Sequence, residues 1–171
     1  MQRRLLLAFT ALAHLVHAAP ELAGLTRRGQ ARFRFLGLHI YDIRLWSAAP
    51  VTAATWAAQP LTLEIEYARS LDGAEIAKRS LKEMRGLTAV SDAQARAWLA
   101  EMRAAFPDVK AGDRLSGSYE PGEAAAFLFN GQPRRRVADA AFARLFFGIW
   151  LSPHTSEPGL REQLLASGDG R

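Results

Sequence analysis

Few side chains in this sequence combine a type and a spacing that could do chemistry. Outside the N-terminal segment that carries His14 and His17, only His39 and His154 remain. Neither has a histidine or carboxylate at the spacing that metal ligands need, so a structural or surface role is the plainer reading of both. Glu64 and Glu66 are the nearest approach to a hydrolytic carboxylate pair. They sit two apart on the polar side of an alternating run, where the ordinary role is to face water. The chain has no cysteine, which excludes disulfides, thiolate metal sites, cysteine nucleophiles and lipid attachment through an N-terminal cysteine. No G-x-S-x-G elbow, G-x-x-x-x-G-K-S/T loop or G-x-G-x-x-G turn occurs. The sequence therefore offers no catalytic residue, no metal site and no cofactor site.

Three features are better suited to binding than to catalysis. In "ARFRFLGLHIYDIRLW", Arg32, Arg34 and Asp42 read as the polar alternates of strands whose other face is Phe33, Phe35, Ile43 and Leu45. Tyr41 shares parity with Ile43 and Leu45, so its ring points into the apolar layer. A buried phenol needs a partner. A backbone carbonyl and the polar head of a ligand are both open to it. Phe142, Leu145, Phe146, Ile149 and Trp150 recur at helical spacing, in a stripe of the width that a core-facing helix presents. Arg134, Arg135 and Arg136 follow a hairpin turn. They read as a solvated strand start, with weak attraction to anionic lipid headgroups as the alternative.

The elements that must position these residues alternate in period. The first 18 residues have a basic start at Arg3 and Arg4, an apolar run from Leu5 to Val16 and a Val16-His17-Ala18 cut site. That is the pattern of a secretion signal, with the mature domain spanning residues 19–171 and a periplasmic destination that suits a cysteine-free exported chain. A hairpin joined at Gly37 follows, and then a strand from Leu61 whose alternation puts Thr62, Glu64 and Glu66 on a wet face. Asp72-x-x-Glu75 and Ser91-x-x-Gln94 open two helices, the first expected to end at Gly86 and the second at Pro107. Short strands come next, around turns that include Asn130-Gly131, the strongest hairpin signal in the chain. Asp139 caps the aromatic helix, and Pro158 starts a last one. The terminal "SGDGR" reads as frayed. The order β-β-β-α-α-β-β-β-α-α predicts an α+β domain, an antiparallel sheet with helices packed on one face.

The formal charge of +5 falls to +3 once Arg3 and Arg4 leave with the signal, and the excess is spread rather than striped. That balance does not point to nucleic acid.

Taken together, "LHIYDIRLW", "YARSLDGAEIAKRSLKEM", "FPDVKAGDRLSG", "FLFNGQPRRRVADAAFARLFFGIWLSP" and "EPGLREQLL" resemble the chalcone isomerase-like family, in particular its bacterial exported branch. The likeness runs from about Leu22 to Leu165 and rests on the order and spacing of the segments. It implies an open-faced β-sandwich, a large antiparallel sheet under a layer of helices with a ligand cleft between. Plant members cyclise chalcones, whereas fatty-acid-binding relatives hold an acyl chain and grip its carboxylate with an arginine and a tyrosine.

Position by position, the resemblance implies Tyr41 as the tyrosine of the fatty-acid binders. It implies Arg28, followed by Gly29, as their arginine, with Arg32 as the fallback. The enzyme's catalytic tyrosine falls on Ile76, its asparagine on Glu83, and its later hydroxyl on Ala140 or Ala141. A site without those groups lacks donors that act on the transition state more than on the substrate. The expectation is a non-catalytic binder of a small amphipathic acid such as a fatty acid, held by Arg28 or Arg32 with Tyr41, with no cofactor. The rivals are an isomerase acting on a chalcone-like enone and a structural protein whose cleft is filled by side chains.

Overall fold

Thr26–Phe35 (β1) and Leu38–Ser47 (β2), rich in aromatic and branched residues, pair as a long antiparallel hairpin. Its two-residue turn, Leu36-Gly37, has φ angles of 49° and 79°. This is the doubly positive pattern of a type I′ turn, whose twist matches that of paired strands. The computed structural model describes residues 19–166, so the expected secretion signal and the "SGDGR" tail lie outside the described residues.

Four further strands extend the hairpin: β3 (Leu61–Tyr67), β4 (Arg114–Glu120), β5 (Ala124–Phe129) and β6 (Gln132–Val137). Each pairs antiparallel with its predecessor, giving a six-stranded sheet in sequence order. Asn130-Gly131 closes β5 and β6 with φ angles of 48° and 79°, a second type I′ turn. Helices α1 (Gly73–Leu87) and α2 (Asp92–Ala105) are inserted between β3 and β4. Reciprocal backbone bonds between Leu71 and Val109, both 3.0 Å, pin the two ends of the insertion together. Helices α3 (Ala140–Leu151) and α4 (Pro158–Leu165) end the described chain. The α+β order is the one that the sequence predicts.

The caps are local and visible in sequence. Asp72 accepts from the Ala74 and Glu75 amides, Ser91 and Gln94 form a reciprocal capping box, and Asp139 accepts from the Phe142 amide. Gly86 does not end α1, which continues to Leu87 before Thr88 becomes extended. A glycine inside a helix costs about 1 kcal/mol relative to alanine, which favourable tertiary packing overrides.

Two burial patterns differ from expectation. The aromatic helix α3 is buried on more than one side: Phe147 and Leu151, off the expected stripe, are fully buried together with Phe142. The expected wet face of β3 is largely dry, with Thr62 and Glu64 each 3% exposed. Glu64 receives Arg44 at 3.0 Å and Arg114 at 3.3 Å, while Arg44 also reaches Glu66 at 2.9 Å. Glu64 does face outward as the alternation predicts, but long arginines from the flanking strands cover its carboxylate.

A candidate ligand cleft between sheet and helices

Between β2 and β3 on one side and α1 and α3 on the other lies a cavity of about 350 Å³. Its wall is mostly apolar and includes Phe33, Ile40, Ile65, Phe106, Leu115, Ile149 and Phe146. That size and character fall in the range of ordinary small-molecule sites. Parity places the sheet's contribution: Tyr41, Ile43 and Leu45 face the helices, with Phe33 paired to Tyr41 across β1 and Tyr67 paired to it across β3.

Three polar aromatic groups meet at the wall. The Trp150 indole nitrogen donates to the Tyr41 hydroxyl at 3.1 Å. This bond engages Tyr41 as acceptor and leaves its own proton available. The Tyr67 ring packs edge-on against Tyr41, with centroids 6.2 Å apart, and its hydroxyl makes no hydrogen bond among the described residues. Burial pushes both phenols well above their ordinary pKa. The Trp150 N–H partly offsets this at Tyr41, and the neighbouring Tyr41 adds to it at Tyr67. Both are therefore neutral donors throughout the physiological range.

Tyr41 thus lies in the cleft, as its parity predicts, but neither arginine joins it. A bulge between Arg27 and Gly29 leaves Arg28 outside the pairing register. Its guanidinium turns to the strand end, donating to Ala48 O at 2.7 Å and to Ser47 Oγ at 3.3 Å. Gly29 lies opposite Leu45, four residues along β2 from Tyr41, a separation of about 14 Å at ~3.4 Å per residue. Arg32 faces the other side of the sheet and grips Asp42 with two bonds, 2.8 and 3.3 Å, holding that carboxyl below its usual range. His39 Nε2 stands 3.2 Å from the same Asp42, so this histidine does find a carboxylate three residues on.

The cationic group at the cleft is Arg79. It lines the cavity from α1, donates Nε to Glu83 Oε1 at 2.6 Å, and stands 6.0 Å from the centre of the Phe35 ring. Its two Nη groups make no bond among the described residues. Arg79 lies three residues after Ile76, another lining residue, so helical spacing alone could have found it. In the sequence Trp150 belongs to a core stripe, and no signal there ties its N–H to Tyr41. The mouth is otherwise acidic, with Asp72, Glu75, Glu83 and Glu157 along it, and Ser156 Oγ donates to Glu83 at 2.7 Å.

The other sequence candidates lie away from the cleft. Glu64 and Glu66 are bound to arginines on the opposite face of the sheet. Arg135 pairs bidentately with Glu101 at 2.6 and 2.9 Å, and Arg136 bonds to Glu120. His154 is exposed between α3 and α4. Among the described residues, no three His, Asp or Glu side chains converge to hold a metal.

The sequence from residue 25 to residue 166 matches the chalcone isomerase-like family. The chain belongs to that family. An uncharacterized protein of Haemophilus influenzae is 31% identical to it over 157 residues, covering 92% of this chain and 75% of the relative. Among solved structures, a fatty-acid-binding protein of Arabidopsis thaliana superposes with a TM-score of 0.62 at 10% identity, over 85% of this chain and 89% of that one. At that identity the likeness establishes the chalcone isomerase-like fold. Within this fold, Ile76 lines the cavity with an alkyl group, Glu83 is tied to Arg79 and Ser156, and Ala140 and Ala141 are exposed at the start of α3.

Proposed function

We propose that this chalcone isomerase-like protein binds a fatty acid, or a similarly slender amphipathic acid, without transforming it. The observation that carries the reading is an open apolar cavity with two neutral phenols on its wall, each with a hydroxyl proton free for a ligand oxygen. The cleft is not plugged by side chains, which argues against a purely structural role. In this reading the ligand head accepts from Tyr41, with Trp150 fixing that hydroxyl and the free Nη groups of Arg79 adding charge-assisted bonds. The tail lies along Ile65, Leu115, Phe106 and Phe146. Arg79 takes the place that the resemblance assigns to Arg28 or Arg32.

Cyclisation of an enone is the weaker reading. It needs a polar network at the positions of Ile76 and Ala140 or Ala141, where this chain has only alkyl groups. The basic start and apolar run of residues 1–18 support export, and we propose a periplasmic location. An intact mass of exported protein beginning at Ala19 is the expected result, and a mass retaining Met1 contradicts it.

The test is displacement of a fluorescent fatty acid by palmitate and by methyl palmitate. A hydrogen bond to a charged group is worth ~1.5–3 kcal/mol, so Tyr41→Phe and Arg79→Gln should each weaken palmitate binding about tenfold or more. Arg28→Ala should leave it unchanged, and the methyl ester should compete poorly. Wild-type affinity in both Tyr41→Phe and Arg79→Gln defeats the assignment. Equal competition by the ester removes the acid from it.

A further inference from the structure

Among the described residues, the large apolar side chains left exposed are Phe35 at 49%, Leu36 at 86% and Leu38 at 53%. All three belong to one turn, the tip of the β1–β2 hairpin. Leu36 stands there with φ at 49°, a left-handed conformation that strains a leucine and suits asparagine or glycine. The same fold obeys that preference at its other type I′ turn, with Asn130-Gly131. Leucine at position 36 therefore serves neither the turn nor the core. Among the described residues, nothing covers it.

The surroundings of the tip indicate what would cover it. Arg34 folds its guanidinium over the turn, donating to Gly37 O at 3.4 Å, and has no acidic partner among the described residues. Arg79 stands beside Phe35 on the cleft side. Arg79 is already bonded to Glu83, so Arg34 is the unpaired cation of the tip, and a cation at the level of three apolar side chains matches a bilayer, with phosphates above and acyl chains below. Three side chains on one turn are far too few for a standard protein interface of about 800 Å² per partner. No helix among the described residues is long and apolar enough to cross a membrane.

We propose that the Phe35-Leu36-Gly37-Leu38 tip docks on an anionic lipid surface, with Leu36 and Leu38 entering the acyl boundary and Arg34 at the headgroups. Phe35 belongs both to the tip and to the cavity wall, and Arg79 of that wall stands 6.0 Å from its ring. Docking therefore brings the cleft mouth to the bilayer, where an amphipathic ligand is exchanged. The exchange half of this statement rests on the fatty-acid reading above, and the docking half does not.

The chain lacks cysteine, so a single introduced thiol reports on one place. In the full chain, Leu36→Cys and Glu123→Cys are each labelled with an environment-sensitive fluorophore. Strand register puts Glu123, in the β4–β5 turn, at the opposite end of the sheet from the tip. With phosphatidylglycerol vesicles, the label at 36 should shift to the blue and be quenched by spin-labelled lipid. The label at 123 should not respond. Adding Arg34→Gln should raise the lipid concentration needed on phosphatidylglycerol several-fold, and change little on phosphatidylcholine, because each cation adds about 1 kcal/mol at an anionic surface. The proposal is overturned if the label at 36 stays in water, or if both labels respond alike. A blue shift that grows with protein concentration in the absence of lipid also overturns it, by assigning the tip to contact between copies. Palmitate displacement in solution is read on the same proteins. Docking without displacement defeats the fatty-acid reading and leaves the lipid contact standing.

Discussion

At the scale of single residues, Tyr41 follows from strand parity, whereas Arg28 follows only from the resemblance. Parity counted back from Ile43 and Leu45 places Tyr41 correctly, because β2 runs without interruption from residue 41 to residue 46 against β3. Arg28 comes from the resemblance, by its distance from Tyr41, and the structure turns it to the strand end at a bulge, which has no reliable sequence signature when its residues are Arg-Arg-Gly. Gly29 is more informative than the arginine beside it. A Cβ built there would fall 2.0 Å from the Leu164 carbonyl oxygen, so α4 lies on β1 with backbone touching backbone. Gly29→Ala should therefore destabilise the protein by about 3 kcal/mol, at the upper end of overpacking costs, because the neighbour is main chain and cannot rotate away. A urea midpoint that moves down by the corresponding amount is the expected result. An unchanged midpoint would mean that α4 does not rest on β1 as described.

Secondary-structure elements were the most legible scale, since each is announced by a period and a cap. The strand order, the Ser91 and Asp139 caps and the Asn130-Gly131 turn all follow from near neighbours in the chain. The sequence does not show which elements later cover one another. The burial of Glu64 depends on arginines from β2 and β4, and the burial of Phe147 depends on packing around α3. The cation at the cleft comes from α1, for which the sequence reading gives the Asp72-x-x-Glu75 cap and the Ile76 and Glu83 positions but no role for Arg79. The β1–β2 turn departs from local rules in a way that can be measured. Leu36→Asn relieves a left-handed leucine, which costs roughly 1–2 kcal/mol, so it should raise stability by about 1 kcal/mol. The same variant should lose the tip's response to lipid. A gain in stability together with a loss of vesicle binding is the signature of a residue kept for contact rather than folding. If Leu36→Asn leaves the urea midpoint unchanged or lowers it, the leucine is not strained.

For the whole molecule, the ionisable groups set a stability plateau whose two edges have different origins. Asp42, Glu101, Asp113 and Glu120 have pKa values below their ordinary range, each chiefly through a side-chain hydrogen bond, from Arg32, Arg135, Asn130 and Arg136 respectively. A depressed carboxyl stabilises the fold above its unfolded value, and that contribution is lost as pH falls below about 4. The three arginine pairs are partly exposed, so their share of the acid edge should be shallow and blunted further by salt, whereas Asp113 is buried. The alkaline edge comes from the three tyrosines of the chain, Tyr41, Tyr67 and Tyr119, all raised chiefly by burial. An unfolded phenol ionises near pH 10, so a raised phenol contributes stability in full below that value and loses it as pH climbs further. Phenolate absorbance should therefore not rise gradually around pH 10. It should appear at higher pH in one cooperative step that coincides with the change in tryptophan fluorescence on unfolding. Absorbance that climbs near pH 10 while the fluorescence stays native would mean that Tyr41 and Tyr67 stand in water. A watery Tyr41 and Tyr67 would leave the cleft without the dry, neutral donors that the binding of an acid head requires.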